Sequence, residues 1–215
     1  MSLKPRWQRR KNARPEEILT AALEAFGDHG FAVTTLDDVA RRAGVTKGTI
    51  YLYYDSKEAL LEAVVRETIV PNIARAEQMV AEFRGTSAEL IRQMLKGWWD
   101  VIGRSALSAV PKLIIAEAAN FPELARFYHR EVIQRGQRLF GQVVQRGIDT
   151  GEFRRVPVAV IVRLALAPVL LSIVQKHSLY KCVPDDMDMD TLLDTHIDIL
   201  LRGLAQSPAP VPAHA

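Results

Sequence analysis

The sequence predicts an all-α protein in which three short N-terminal helices precede a larger helical domain. Apolar residues recur at helical spacing in nearly every segment. No segment sustains the alternation of apolar and polar residues that a half-buried strand requires. The breaks between segments are short and contain Gly or Pro, which end helices. At 215 residues the chain can hold a small domain followed by a larger one.

The first helix is predicted to begin at Pro15 and to end at Gly30. Proline is favourable in a first helical turn, where its missing N–H has no bond to make, and glycine is favourable just after a helix. Between these positions the apolar residues form one stripe on a single face: Ile18, Leu19, Ala22, Ala25 and Phe26.

The next three helices are also delimited by local signals. Thr35 with Asp38 has the pattern of a capping box, with Asp in place of the usual Glu or Gln, and Gly44 ends the second helix. A third helix is predicted from about 46 to 54, and Asp55 or Ser56 is predicted to cap a fourth. Pro71 is expected to end or kink that fourth helix.

Longer helices with short breaks follow. Val158 to Ser178 is the most apolar segment, with Arg163 as its sole charge before Lys176. The predicted helices are 72–84, 87–103 (with a break at Gly85-Thr86-Ser87 before it), 106–119 with a possible kink at Pro111, 122–149, 158–178 and 189–204.

Charge and cysteine content restrict the class of protein. Six basic residues between Lys4 and Arg14 precede the first acidic residue, Glu16, which is typical of a solvated arm or of an arm lying on nucleic-acid phosphates. Cys182 is the single cysteine, so an intramolecular disulfide is excluded. We read no signal peptide and no run of about 18 uncharged apolar residues, and we expect a cytoplasmic protein with no membrane partner.

A helix-turn-helix is predicted within residues 35–54. Two short helices are separated by Gly44, Ala40 is small where the helices must approach, and Val45 is apolar just after the turn. On the second helix, Ile50 and Tyr54 share one face and are expected to be buried. The opposite face is polar and small enough for a DNA major groove; it carries Thr46, Lys47, Thr49 and Tyr53.

With these residues in place, the segment 15–62 resembles the DNA-binding region of the TetR/AcrR family of bacterial transcriptional regulators. The resemblance is carried by Ile18 to Phe26, Gly30-Phe31, Thr34-Thr35, Asp38-Val39-Ala40, Ala43-Gly44-Val45, Lys47-Gly48-Thr49-Ile50-Tyr51, Tyr53-Tyr54 and Ser56-Lys57-Glu58-Ala59-Leu60. It implies a flexible basic arm (1–14), a helix-turn-helix domain (15–58), a helical ligand-binding and dimerisation domain (59–205) and a disordered Pro/Ala-rich tail (206–215).

The resemblance also implies roles for individual residues on double-stranded DNA. Thr35 would place its hydroxyl and N–H on a phosphate, and Lys57 would hold another phosphate. Gly48 would let the backbone come close to the DNA. The remaining predicted contacts, to bases, thymine methyls or phosphates, are Thr46, Lys47, Thr49, Tyr51 and Tyr53.

The resemblance further implies a homodimer formed by helices near 157–179 and 189–204, bound to a palindromic operator. A small-molecule effector would lie within the helices between about 56 and 150. Because these helices are rich in bulky apolar side chains, we expect an apolar or aromatic effector, although a solid core would give the same pattern. The candidate lining residues are Trp98, Trp99, Ile102, Ile115, Phe121 and Tyr128.

No catalytic constellation, cofactor motif or metal-ligand spacing is evident in the sequence. Asp185, Asp186, Asp188 and Asp190 lack the glycine and distal glutamate of a calcium loop, so we interpret them as loop and helix-start charges. We therefore expect a ligand-responsive regulator, a repressor rather than an activator, and not an enzyme. The alternative is a helical small-molecule-binding protein without regulated DNA binding.

Overall fold

A computed structural model of the protein describes residues 15–183 and 186–206, which form eleven α-helices. These residues contain no β-strand, and Phe153 and Ala205 form one isolated antiparallel bridge. The all-α prediction is therefore confirmed. The helices are α1 (Pro15–His29), α2 (Leu36–Ala43), α3 (Lys47–Tyr51), α4 (Lys57–Val64), α5 (Val70–Glu82), α6 (Ser87–Trp98), α7 (Ala109–Glu117), α8 (Pro122–Tyr128), α9 (Gln134–Asp149), α10 (Val158–Lys176) and α11 (Met189–Leu204).

Some predictions fall on residues that the structure does not describe. The basic arm at 1–14, the tail from 207 onwards and Asp185 all lie outside the described residues.

The predicted limits of α1 and α2 and the start of α4 agree with the structure, whereas α3 is shorter than predicted. Helix α1 begins at Pro15 and is followed by Gly30, whose φ is 88°. Ser56, rather than Asp55, caps α4 by accepting a hydrogen bond from the Ala59 N–H. Helix α3 ends at Tyr51, three residues earlier than predicted.

Three wide turns of π-helix interrupt segments that the periodicity predicts as continuous helix. They span Val65–Ile69, Trp99–Gly103 and His129–Ile133. The first is followed directly by Val70, the first residue of α5, so Pro71 lies in the first turn of that helix instead of ending one. A π turn adds one residue to a helix without changing its composition, so apolar spacing alone does not reveal it.

The described chain divides into two compact units, each built from two stretches of sequence. Unit 1 contains residues 15–71 and 106–132, and unit 2 contains residues 72–105 and 133–206. Helices α7 and α8 belong to unit 1 because α7 packs on α1 and α8 packs on α4. The sequence predicts one domain boundary between residues 58 and 59, whereas the compact units combine stretches from both sides of it. Local sequence signals do not reveal such long-range packing. The functional division at that boundary stays a prediction.

The core of unit 1 is formed by the predicted apolar stripe of α1 together with residues of the next helices. Phe26 and Phe31 are fully buried, with ring centroids 5.1 Å apart, and Phe121 meets the Phe31 ring edge-on at 5.0 Å. Other fully buried members are Ile18, Ala22, Val39, Ile50, Leu60, Leu61 and Val64.

The core of unit 2 is formed by α6, α9, α10 and α11. Leu90 and Ile91 of α6 are fully buried beside Val144 of α9, Ile173 of α10 and Ile197 of α11. The Nε2 atom of His196 lies 2.8 Å from the Ala165 carbonyl oxygen and ties α11 to α10.

Helix α10 is apolar on more than its core-facing side. By length and composition alone it could cross a membrane, since its most apolar window has a mean hydropathy of 2.2. Within the protein, 28% of that window is buried. The sequence predicts no such segment, because Arg163 and Lys176 interrupt the apolar run. The exposed Arg163 lies beside exposed leucine and valine side chains.

Candidate nucleic-acid interface

Helices α2 and α3 of unit 1 form a helix-turn-helix whose turn is built as the sequence predicts. Gly44 adopts a left-handed conformation with φ of 69°, which allows the chain to reverse immediately after α2. The Val45 N–H then donates to the Ala40 carbonyl oxygen at 2.9 Å. Both side chains are buried, so the predicted packing at the turn is confirmed.

The start of α2 carries the predicted capping box. The Asp38 N–H donates to the Thr35 hydroxyl oxygen at 3.2 Å, while the Asp38 carboxylate accepts from the Thr35 N–H at 3.0 Å and from its hydroxyl at 2.7 Å. These bonds, the hydroxyl bond first, lower the pKa of Asp38. Both Thr35 donors assigned to a phosphate are therefore bound to Asp38, and a phosphate would have to compete with that carboxylate.

Thr46 and Thr49 stabilise the first turn of α3. Thr46 is the N-cap, with its hydroxyl oxygen accepting from the Thr49 N–H at 3.2 Å, and the two hydroxyl oxygens are 2.8 Å apart. Thr49 is buried. The sequence placed Thr49 on the DNA-facing side; the structure corrects this, because its short side chain closes the helix turn.

The exposed surface of α3 and the two residues after it includes a lysine, a glycine, two tyrosines and Leu52, which is 81% exposed. Lys47 and Gly48 are exposed at the helix start, and Tyr51 and Tyr53 are 46% and 53% exposed. The Lys47 ammonium lies 5.7 Å from the centre of the Tyr51 ring. Lys47, Gly48, Tyr51 and Tyr53 therefore lie where the sequence predicts the DNA-reading surface.

Asp37, a residue that the sequence reading missed, belongs to the same surface. Its carboxylate accepts a hydrogen bond from Lys47 Nζ at 2.9 Å, and both side chains are about half exposed. The hydrogen bond raises the pKa of Lys47. A separation of ten residues carries no local signal; the contact follows from the turn that brings the starts of α2 and α3 together.

Ile50 and Tyr54 face inward as predicted. Ile50 is fully buried and Tyr54 is partly buried. Burial raises the pKa of the Tyr54 phenol. The inner face of α3 is therefore used for packing, which leaves the outer face for DNA.

Lys57 is the first residue of α4, as predicted, and its ammonium is bound within unit 1. Its ammonium donates to the carbonyl oxygens of Phe31 at 2.9 Å and of Ala32 at 2.7 Å, and it lies 4.8 Å from the Phe31 ring centre. The ammonium thus satisfies the carbonyls that follow α1. A phosphate would have to compete with these carbonyl oxygens for the Lys57 ammonium, and the predicted phosphate contact stays a prediction.

The six candidate ligand-lining residues divide between the two units. Trp99 and Ile102 are buried in unit 2, and Trp98 packs partly buried against the same core. In unit 1, Tyr128 is buried, and burial raises the pKa of its phenol. Phe121 contacts Phe31, and Ile115 is 56% exposed, contrary to the predicted burial in a pocket.

Trp99 carries a polar atom of interest for ligand binding. Its indole N–H is buried and has no hydrogen-bond partner among the described residues. Its ring covers Gly103 so closely that a Cβ at residue 103 would lie 2.0 Å from the ring. An unpaired buried donor is costly, and a bound acceptor would relieve that cost.

The aspartates before α11 start that helix. The Asp188 carboxylate accepts from the Thr191 N–H at 3.0 Å and from its hydroxyl at 2.6 Å, and Arg104 donates to Asp190. No cluster of three metal-ligating side chains occurs within 15–183 and 186–206. The helix-start interpretation is confirmed for Asp188.

Comparison with known protein families gives a match for the N-terminal part of the chain and another for the C-terminal part. Residues 18–64 match the family described as bacterial regulatory proteins, tetR family, and residues 84–195, more than half of the chain, match the tetracyclin repressor-like C-terminal domain. The first match contains the whole helix-turn-helix described above.

Full-length relatives agree with these matches. The chain is 25% identical to the fatty acid metabolism regulator protein of Bacillus subtilis over 196 residues, covering 90% of this chain and 98% of that protein. It is 27% identical over 143 residues to the HTH-type transcriptional repressor KstR2 of Mycolicibacterium smegmatis, covering 66% and 68% of the two chains.

Solved structures share the fold. The regulator FadR of Bacillus subtilis, crystallised with stearoyl-CoA, superposes with a TM-score of 0.74 at 22% identity, covering 89% of this chain and all of that one. The ketosteroid regulator KstR2 of Mycobacterium tuberculosis gives a TM-score of 0.69 at 19% identity, covering 94% of this chain and all of that one. The chain therefore belongs to the TetR family and is a ligand-responsive, DNA-binding transcriptional regulator.

Proposed function

We propose that this regulator is a homodimeric repressor that binds a palindromic operator and releases it when an apolar small molecule binds its C-terminal domain. The observation that carries the DNA-binding part is the exposed surface of α3, where Lys47 and Tyr51 project beside the closely approachable Gly48. A lysine at the start of a recognition helix can donate to guanine, and tyrosines can contact phosphates or thymine methyls.

The roles on DNA are assigned according to exposure. Lys47, Tyr51 and Tyr53 supply side-chain contacts, and Gly48 supplies close backbone approach. Thr46 is partly exposed, and from the start of α3 it would approach bases or nearby phosphates. The basic arm at 1–14 would add phosphate contacts that raise affinity for all sequences about equally.

A second copy of the chain is the proposed cover for the apolar surface of α10. Val160, Leu164 and Leu171 are each more than half exposed and, with the exposed Ala167, follow helical spacing along one face. On α11, Ile199 is 66% exposed. Exposed apolar stripes of this kind mark interfaces, and a two-fold dimer places one recognition helix in each half-site.

The effector is proposed to be largely apolar with at least one hydrogen-bond acceptor. Two relatives bear on its chemistry: FadR of Bacillus subtilis binds stearoyl-CoA in its crystal structure, and KstR2 of Mycobacterium tuberculosis is described as a ketosteroid regulator. In this chain, the buried N–H of Trp99 is a donor that such an acceptor would satisfy. Trp98 and Ile102, which lie in the same unit as Trp99, remain proposed neighbours of the ligand. Phe121 and Tyr128 of unit 1 stay predictions from the sequence, and Ile115 is too exposed to line a pocket.

We propose that the regulator acts in the cytoplasm, where its operator is accessible. Selection of bound duplexes from a random DNA library tests the function directly. We expect a palindromic site with two equivalent half-sites and, by sedimentation, a particle of about twice the 24.0 kDa chain mass. A protein that selects no sequence would contradict the proposal.

The effector proposal has its own test with stearoyl-CoA as the first probe and a 3-ketosteroid as the second. A compound that binds the folded dimer raises its melting temperature and, for a repressor, lowers its affinity for the selected operator. Trp99→Phe keeps an aromatic ring, although a smaller one, and removes the N–H donor; Trp98→Phe makes the same change at the neighbouring residue and is the matched control. A broad apolar panel with no effect on melting or DNA release would overturn the effector proposal while leaving DNA binding intact.

A further inference from the structure

The paired side chains of Asp37 and Lys47 place a hydrogen-bond acceptor next to a donor on the DNA-reading surface. The Asp37 carboxylate and the Lys47 ammonium are 2.9 Å apart, and their side chains are 48% and 58% exposed. Asp37 lies in the first turn of α2, and Lys47 is the first residue of α3. Both groups are therefore available to a partner that approaches the start of the recognition helix.

The pair is poorly explained as a stabilising contact or as a phosphate contact. Exposed ion pairs contribute little to folding stability, so stability alone gives little reason to place a carboxylate here. DNA phosphates repel that carboxylate, and a surface built only for affinity would omit it. In a major groove, the favourable partners of a carboxylate are the amino groups of cytosine and adenine.

We propose that Asp37 and Lys47 together read one G·C base pair in each half-site, and this inference rests on the proposed DNA-binding function. Lys47 donates to O6 and N7 of guanine, and Asp37 accepts from the N4 amino group of the paired cytosine. The major-groove edge of a G·C pair presents two adjacent acceptors followed by one donor. That order is complementary to an ammonium beside a carboxylate.

An A·T pair fits the same two groups less well. Its edge presents acceptor, donor and acceptor in turn, followed by the thymine methyl group. An ammonium placed beside the carboxylate then finds one acceptor instead of two. Asp37 is accordingly a specificity residue. Its carboxylate weakens binding wherever it meets a phosphate or a base without an amino group, and it directs Lys47 towards guanine.

Base preference at the selected operator tests this assignment. Wild-type protein is expected to select G·C at one symmetric position in each half-site. Replacing that pair should weaken wild-type binding by about 5- to 150-fold, the range of a good base contact. In Asp37→Ala the penalty should shrink several-fold, while affinity for unrelated DNA rises. Asp37→Asn retains an acceptor oxygen and should restore part of the preference.

Asp28→Ala is the matched control, because it removes another exposed carboxylate of unit 1. Asp28 lies 2.7 Å from Arg42 and is on α1. It should change affinity for all DNA through net charge and leave base preference unaltered. Unchanged melting temperatures show that both variants fold.

Two results would overturn the inference in distinguishable ways. If wild type selects an operator but Asp37→Ala and Asp28→Ala show the same base preference at every position, the assignment of Asp37 fails and the proposed function stands. If wild type selects no sequence, the proposed function fails and this inference fails with it.

Discussion

The short helices of the DNA-reading region and the long helix α10 are stabilised in different ways. Helices α2, α3 and α4 have five to eight residues, and each begins with a Thr or Ser side chain that accepts a backbone hydrogen bond. Helix α10 has 19 residues and no side-chain cap. Short helices are marginal and need local stabilisation at their ends, whereas a long helix draws its stability from the surface that it buries.

The exposed faces of these two regions also differ in the chemistry of their side chains. The outer face of α3 presents a few polar and aromatic groups held by short-range contacts, such as the Lys47–Asp37 pair. The outer face of α10 presents a continuous row of apolar side chains. A surface of the first kind suits sequence recognition, and one of the second kind suits association by burial of area. Substitutions on α3 should therefore affect DNA binding alone, whereas substitutions on α10 should affect association of the two chains first.

The largest expected effect comes from placing a charge on the apolar face of α10. Leu164→Glu would force a carboxylate into the proposed dimer interface, so the protein should sediment as a monomer. Loss of the second half-site contact should weaken operator binding by about 100-fold or more. Ala159→Glu is the control, because Ala159 is exposed on α10 but outside the stripe. A Leu164→Glu protein that stays dimeric would refute the assignment of this face.

A smaller effect is expected from truncating the outer face of α3. Lys47→Ala and Tyr51→Ala should each weaken operator binding by about 1–3 kcal/mol, the usual contribution of a good base contact. Since both side chains are exposed, the melting temperature should stay the same. Lys96→Ala removes another exposed lysine, paired with Asp194 in unit 2, and should leave binding unchanged. Full affinity in both α3 variants would show that the recognition surface lies elsewhere.

The smallest effect is expected at the cap of α2, and it concerns stability. Thr35→Val keeps the shape of the side chain and removes its hydroxyl, which should lower the free energy of unfolding by about 1 kcal/mol. Thr20→Val, which removes an exposed hydroxyl bonded to the Glu16 carbonyl oxygen within α1, should cost less. Equal losses in the two variants would argue that the cap contributes nothing particular.

The same cap predicts a dependence of stability on pH. The folded-state pKa of Asp38 is lowered from its ordinary value of 3.8, mainly by its bond with the Thr35 hydroxyl. Its contribution to stability is therefore present above pH 3.8 and is lost as the pH falls through the lowered folded-state pKa. Unfolding by denaturant across this acid range should show a weaker pH dependence in Thr35→Val than in wild type.

The difference between the two regions also explains which features could be predicted from the sequence. The ends of α1 and α2, the capping box and the inward faces of Ile50 and Tyr54 depend on signals within a few residues, and the structure confirms them. The position of Lys57 beneath the Phe31 and Ala32 carbonyls depends on residues about 25 positions earlier in the chain. The grouping of residues 106–132 with the N-terminal helices likewise depends on tertiary packing.

The exposed carboxylate of Asp37 has a consequence for how the regulator is distributed in a cell. A bacterial chromosome offers millions of positions that are not the operator, and each competes for the protein through its phosphates. A negative charge on the reading surface shortens residence at all of those positions, while at the operator its cost is offset by a matching amino group. Fewer copies of the protein are then needed to keep one operator occupied.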